Sequence, residues 1–194
     1  MLKPASTLPL LLALLLSPSL LAAQEAQSLS EASLSGLRLR GIGPAINGGR
    51  IADIGIHPED PSVMYVGVGS GGVWKTTNAG TTWEPIFDDQ SSYSIGSVAL
   101  DPSAPDVIWV GTGEDVGGRH VGFGDGIYRS TDGGRTWSNM GLTASEHLST
   151  IIVHPDDSDV VWVAAQGNTY APGDDAGVYK STDGGGSWRR VLAP

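Results

Sequence analysis

The sequence has no cysteine, which excludes a disulfide framework and a lipidated cysteine anchor. Basic residues are scarce: 11 Lys and Arg stand against 21 Asp and Glu, for a formal net charge of −10. Sequence-independent binding to nucleic acid needs clustered cations facing phosphates, so a nucleic-acid partner is excluded. The acidity itself reads as a solubility device. Long hydrophobic runs are missing as well. The apolar run at residues 8–16 (LPLLLALLL) is too short for a comfortable membrane span.

That run has another use. Lys3, the apolar segment and the small residues around 21–24 together match a secretory signal peptide over residues 1–23. The mature protein is then secreted or periplasmic, with no stable membrane insertion once the signal is cleaved. Residues 24–36, rich in Ser, Ala and Glu, read as a linker.

The rest of the chain is turn-rich. With 28 Gly and 12 Pro it still keeps runs of Val, Ile, Trp and Tyr between the glycines, which is an all-β signature. Those runs repeat as a four-part phrase. Alternating runs closed by His-Pro or Asp-Pro (IADIGIHP, IGSVALDP, LSTIIVHP) read as strands ending in turns. Runs with few charges follow (VMYVGVG, VIWVGTG, VVWVAAQG) and suit strands buried on both faces. A short third run (GVWKTT, GIYRST, GVYKST) leads to a fourth that starts at a tryptophan. Four strands per unit is the count of one propeller blade. The fold class expected is therefore an all-β β-propeller of about three four-stranded blades, over residues 51–87, 95–140 and 148–192 of a partial propeller spanning 37–194.

Between third and fourth runs lies one repeated string, S/T-x-D/N-x-G-x-T/S-W. Its copies run through Asn78, Gly80 and Trp83; through Asp132, Gly134 and Trp137; and through Asp183, Gly185 and Trp188. An Asx side chain accepts hydrogen bonds from backbone N–H groups just after it, and Gly supplies positive φ, so each string predicts a hairpin held by Asx. The Trp ring is expected to fold back over its own turn. Asp132 and Asp183 are read as turn anchors rather than catalytic carboxylates, and Asn78 weakens any repeated catalytic role because Asn still anchors the turn.

Successive connections of an antiparallel blade open on alternate faces, so the long connections between second and third strands share the face opposite these turns. That face collects Glu114, Asp115, Arg119 and His120, and one blade on, Tyr170, Asp174 and Asp175. Charged side chains on loops of a rigid scaffold are where binding is usually placed. Glu114, Asp115 and His120 offer oxygen-rich ligands of the kind calcium takes, but without regular ligand spacing. No metal and no cofactor is expected. GVGSGG and GTGEDVGG are followed by no helical pattern and carry no phosphate-binding signal.

The repeated string resembles the Asp-box, or BNR repeat. With the longer strings IGPAINGGRIADIGIHPEDPSVMYVGVGSGGVWKTTNAGTTW and GDGIYRSTDGGRTWSNMGL, the chain is similar to exported, sortilin-like (VPS10-type) BNR proteins of bacteria that are often labelled glycosyl hydrolases. The resemblance implies a propeller that binds protein, peptide or glycan, non-catalytic as encoded. In xyloglucan-cleaving relatives a catalytic Asp sits in a TD-x-GG string directly after the second strand of the first blade. Here that string reads Gly69-Ser70-Gly71-Gly72, and Ser70 stands where the acid would be. The alternative is a glycosidase acting on polysaccharide, whose carboxylates are Glu114 and Asp115 or lie beyond residue 194; such enzymes need two carboxylates flanking the bond they cleave. Sialidases clamp their substrate with an arginine triad. Arg38, Arg40 and Arg50 precede the repeats, but no matching Tyr/Glu nucleophile pair can be assigned. Propellers close with about 4 to 8 blades, so three blades are expected to need either missing blades, as in an N-terminal fragment of a longer protein, or self-association.

Overall fold

The computed structural model describes residues 49–115, 121–169 and 174–193. The expected signal peptide and linker, and the candidate residues Arg119, His120 and Tyr170, lie outside the described residues. The described residues form strands and turns. Blade 1 comprises β1 (Ile51–Ile56), β2 (Met64–Val68), β3 (Gly72–Thr76) and β4 (Glu84–Pro85). Blade 2 comprises β5 (Ile95–Leu100), β6 (Ile108–Thr112), β7 (Ile127–Ser130) and β8 (Ser138–Asn139). Blade 3 comprises β9 (Leu148–His154), β10 (Asp157–Ala165), β11 (Gly177–Ser181) and β12 (Arg189–Leu192). Each blade is an antiparallel sheet paired in chain order, and the three stack in sequence as an unclosed, incomplete β-propeller.

The local chemistry explains the elements. The residue before each Pro closes the first hairpin of its blade: His57 Nδ1 accepts from the N–H groups of Glu59 and Asp60, Asp101 Oδ1 from those of Ser103 and Ala104, and His154 Nδ1 from that of Asp156. Each first strand also carries an extra residue near its start, where the register with the second strand shifts at Ile51/Asp53, Ile95/Ser97 and Ala164/Ala165. Such bulges bend a strand and re-aim its end.

The core lies in the seams between blades. Tyr65, Val73, Phe87, Ile95, Val98 and Ile108 close the first seam; Trp109, Ile127, Leu148, Val161 and Val163 close the second. Each fully buried Ile or Val here contributes about 1.5–3 kcal/mol. Only in blade 2 is the second strand buried along its whole length. In blades 1 and 3 the equivalent strands alternate, with one face less covered, because among the described residues each of those blades packs on one other blade.

The repeated turns are held by paired side chains. Asp132 Oδ1 accepts from Thr136 N at 2.9 Å and from Ser130 Oγ at 2.8 Å, while its Oδ2 accepts from Thr136 Oγ1 at 2.7 Å. Asp183 repeats this with Ser187 and Ser181. Asn78 keeps the acceptor bond to Thr82 N at 2.9 Å and reverses the other, its Nδ2 donating to Thr82 Oγ1 at 2.8 Å. Gly80, Gly134 and Gly185 have φ of 83°, 88° and 90°, the left-handed region that the turn requires. The rings of Trp83 and Trp137 lie over their own turns, beside Gly80 and Gly134, but the tryptophan donors divide. Trp83 does donate to its own turn, Nε1 to Gly80 O at 3.1 Å, but Trp137 and Trp188 reach into the preceding blade, to Ile86 O at 2.8 Å and Met140 O at 2.7 Å. A blade in front supplies a better buried carbonyl, so these side chains staple blades as well as closing turns. The fourth strands are shorter than the sequence suggests, β4 and β8 having two residues each, since pairing starts only after the tryptophan.

Candidate ligand-binding face

The face opposite the repeated turns is built from the starts of first strands and the ends of second strands. In each blade a backbone bond ties the two: Gly69 N to Arg50 O at 2.8 Å, Gly113 N to Ser94 O at 2.8 Å, and Gln166 N to His147 O at 2.9 Å. Arg50, Ser94 and His147 are therefore structural equivalents, and so are the residues that follow the donors: Ser70, Glu114 and Gly167. The position that holds a serine in blade 1 holds a carboxylate in blade 2.

Glu114 is turned inward rather than out into solvent. Its side chain is 1% exposed, and Oε1 accepts from Arg50 Nε at 2.6 Å and Nη2 at 2.5 Å, while Arg50 remains half exposed. The hydrogen bonds to Glu114, and then its charge, raise the Arg50 pKa above its ordinary value. A buried carboxylate without a cation is costly, so Arg50 is what permits an acid at this place. Space is tight around it: a β-carbon on Gly69 would meet Glu114 Oε1, so a larger residue there would have to displace the Glu114 side chain.

His147 is fully buried beside it, with Nδ1 2.8 Å from the Glu114 carbonyl oxygen. A carbonyl only accepts, so Nδ1 carries the proton, and in the neutral ring Nε2 is left as an acceptor. Nε2 of His147, Oε2 of Glu114 and Oε2 of Glu146 are buried and have no hydrogen-bond partner among the described residues. Polar atoms in that state are usually paired, whether by water or by a ligand.

Two aromatic rings stand on the same face. Tyr93 is 65% and Phe123 57% exposed, and Phe123 lies 5.7 Å from the His147 ring. Their backbones are fixed. Ser92 Oγ donates to Phe123 O and Ser94 Oγ to Gly122 O, at 3.1 and 2.8 Å. Asp125, just beyond, accepts from Tyr128 OH at 2.6 Å and from Ser91 Oγ.

The sequence-predicted residues divide. Glu114 sits at the centre, with Asp115 next to it, half-buried, its carbonyl accepting from Gln166 Nε2 at 2.9 Å. Asp174 and Asp175 belong to the blade 3 connection, where their carbonyls accept from Arg190 Nη1 and Tyr179 OH respectively. Their backbones thus fasten that connection to its own blade. Tyr93, Phe123 and His147 were not singled out by the sequence. Aligning the three repeats would have shown His147 in the place of Arg50. A separate cleft of about 330 Å³ follows the outer seam between blades 1 and 2, lined by Lys75, Glu84, Asp88 and Arg135, among others. Its mixed charges and position at the edge set it apart from the Glu114 cluster.

Comparison with known proteins adds four findings. A family model described as Sortilin-Vps10 (sortilin, neurotensin receptor 3) matches residues 71–194. Xyloglucanase Xgh74A of Acetivibrio thermocellus is 27% identical over 175 residues, covering 73% of this chain and 20% of that protein. The chain thus spans about a fifth of the length of that relative. Among solved structures, the Niastella koreensis GH74 enzyme aligns with a TM-score of 0.56 and 27% identity over 72% of this chain and 21% of its own. YCF48 bound to D1 peptide aligns with a TM-score of 0.52 and 16% identity over 75% of this chain and 41% of its own, a likeness of fold.

Proposed function

The chain belongs to the Sortilin-Vps10 family, and from that premise we propose that it is an exported Asp-box propeller segment that binds a protein, peptide or glycan on the Glu114 face without cleaving it. The observation that carries this reading is the Arg50–Glu114 pair. Hydrolysis of a glycosidic bond needs one carboxyl group free to give a proton and a second to act as nucleophile or base. Glu114 is buried and neutralised by Arg50, and Ser70 replaces the acid of blade 1. What the face does offer is recognition: two exposed rings and a half-exposed guanidinium. Tyr93 and Phe123 supply apolar area at low entropic cost, and the half-exposed Arg50 supplies N–H donors. The peptide bound by YCF48 is a precedent for the fold alone.

A second reading keeps the chemistry of the xyloglucanase relatives, to which 27% identity lends weight. In that reading Glu114 and Asp115, or carboxylates beyond residue 194, cleave a polysaccharide. One experiment separates the two. The chain is incubated with xyloglucan oligosaccharides and with a peptide array, scoring bound ligand and released reducing ends together. Binding that falls at least tenfold in Tyr93→Ala and Phe123→Ala, with no reducing ends, supports the binding module. Reducing ends that disappear in Glu114→Gln or Asp115→Asn overturn it.

A further inference from the structure

The first and second seams share one template. In each, a Trp of the later blade donates to a carbonyl of the earlier: Trp137 to Ile86 O at 2.8 Å, Trp188 to Met140 O at 2.7 Å. A cation of the earlier blade donates to the turn of the later: Lys75 Nζ to Gly133 O at 2.9 Å, Arg129 Nη1 to Gly184 O at 3.3 Å. Each cation lies 5.3 Å from the centre of an aromatic ring of its own blade, Lys75 over Tyr65 and Arg129 over Trp109. Contacts common to both seams are what the fold needs.

The first seam carries charge that this template does not use. Glu84, Asp88 and Asp89 line the outer cleft of about 330 Å³ from blade 1, and Arg135 lines it from blade 2. Counted from the repeated tryptophans, the residues at these places in the second seam are Ser138, Leu142, Thr143 and Gly186, none of them charged. A seam therefore closes without these ionic side chains. Nor do they hold one another. Lys75 and Glu84 are direct cross-strand partners, a place where opposite charges usually interact, but the Lys75 ammonium is drawn away to Gly133 O. Arg135 spends its Nε on Asp132 O at 3.0 Å and leaves both Nη groups unbonded among the described residues. No ion pair besides Arg50–Glu114 forms among the described residues, so acids and cations line the same cleft without meeting.

Pro85, Ile86 and Trp137 add apolar surface to the cleft. The Trp137 ring is fixed there by its bond to Ile86 O and by edge-to-face contact with Phe87, 5.1 Å between ring centres. A rigid apolar wall with a few charged groups is the make-up of a small-molecule site, and the volume falls in the range of about 300–1,000 Å³ that such sites occupy. Charges of both signs narrow the ligand class. An amine alone would leave Arg135 unmatched, and a carboxylate alone would face the acids of blade 1 and the net charge of −10. A small molecule that carries both charges matches both sides and is itself neutral.

We propose that this cleft binds a free amino acid with an apolar side chain, at a site separate from the Glu114 face and independent of the function proposed for it. Glu84, Asp88 and Asp89 receive the ammonium group. Arg135 receives the carboxylate through its Nη groups, with the N–H groups that Lys75 does not spend on Gly133 O. Trp137 and Ile86 cover the side chain. Both ends of the ligand then make charge-assisted hydrogen bonds, which are roughly twice as strong as neutral ones.

Isothermal titration of the unmodified chain with leucine, methionine and phenylalanine, one at a time, tests this. At least one is expected to bind with a Kd of about 1 mM or below. The N-acetyl form and the amide of that amino acid each lack one charge and are expected to bind about tenfold more weakly or worse. Arg135→Ala and the double variant Asp88→Asn/Asp89→Asn weaken binding by about the same factor. These side chains are exposed, so the variants fold, which unchanged near-UV circular dichroism verifies. Failure of all three amino acids to bind overturns the proposal. An amide or N-acetyl form that binds as tightly as its parent also overturns it, since the cleft would then read a single charge. Binding that survives both variants places the ligand elsewhere on the chain and overturns it too. The titration contains no glycan and no peptide, so its outcome is separate from that of the Glu114 face.

Discussion

Arg50, ahead of the first strand of blade 1, and Glu114, after the second strand of blade 2, meet in an ion pair across 64 residues of sequence. The pair links neighbouring blades and neutralises the carboxylate at the centre of the candidate face. Its removal in two ways should have unequal effects. Arg50→Ala leaves the buried charge uncompensated and lowers Tm, whereas Glu114→Gln keeps a neutral side chain of the same shape. The double variant Arg50→Ala/Glu114→Gln recovers stability relative to Arg50→Ala alone. Thermal unfolding of the three proteins checks this, and a double variant no more stable than Arg50→Ala would contradict it.

Asp53 makes a second link between inner strands. Its Oδ2 accepts from Val98 N at 2.9 Å and from Ser97 Oγ at 3.0 Å. Asp53→Ala strands an N–H at the seam and is expected to cost about 1–3 kcal/mol in urea unfolding. A change below about 0.5 kcal/mol would mean the strands are held by packing alone.

The repeated turns predict an acid dependence. Hydrogen bonds from Thr136 hold the Asp132 carboxyl down at about 2, and those from Ser187 and Ser181 do the same for Asp183. Both groups sit below their value of about 3.9 in an unfolded chain. Stability from these turns is therefore complete above about pH 4 and is lost as pH falls through the folded values near 2. Asn78 carries no such charge, so the blade 1 turn does not contribute. In Asp132→Asn/Asp183→Asn the slope of Tm against pH between about 4 and 2 becomes shallower. An unchanged slope would assign the acid loss to other carboxylates.

Ala79 has a φ of 54°, where the equivalent residues in blades 2 and 3 are Gly133 at 71° and Gly184 at 63°. Ala79→Gly relieves a left-handed alanine at the cost of some chain entropy, for a net gain of about 0.5–1 kcal/mol. Chemical unfolding measures it directly, and destabilisation would show that the turn in blade 1 is not strained.

The fold was legible because its determinants are local. Asx and Gly at fixed offsets and β-branched runs between turns act within about ten residues, so three copies of the phrase announce three sheets. The site was less legible because its determinants cross blades. Nothing near Glu114 in sequence says that its partner is Arg50, 64 residues away, or that the loop carrying it turns inward. The repeated string points each tryptophan ring to its own turn, where Trp137 packs beside Gly134, but not its donor to Ile86 of the preceding blade. Tyr93 and Phe123 sit in connections without periodicity, where exposure cannot be read from pattern. The repeats did hold one unused signal. Superposing them places Ser70, Glu114 and Gly167 together, so that of the three copies only blade 2 carries an acid there.

The most direct measurement is of xyloglucan and peptide ligands offered to the unmodified chain, with bound ligand and released reducing ends read from the same sample. The account predicts binding that depends on Tyr93 and Phe123, and no release of reducing ends at any time point. Reducing ends that accumulate with the unmodified chain and vanish with Glu114→Gln would contradict it and make the Glu114 face a hydrolase site.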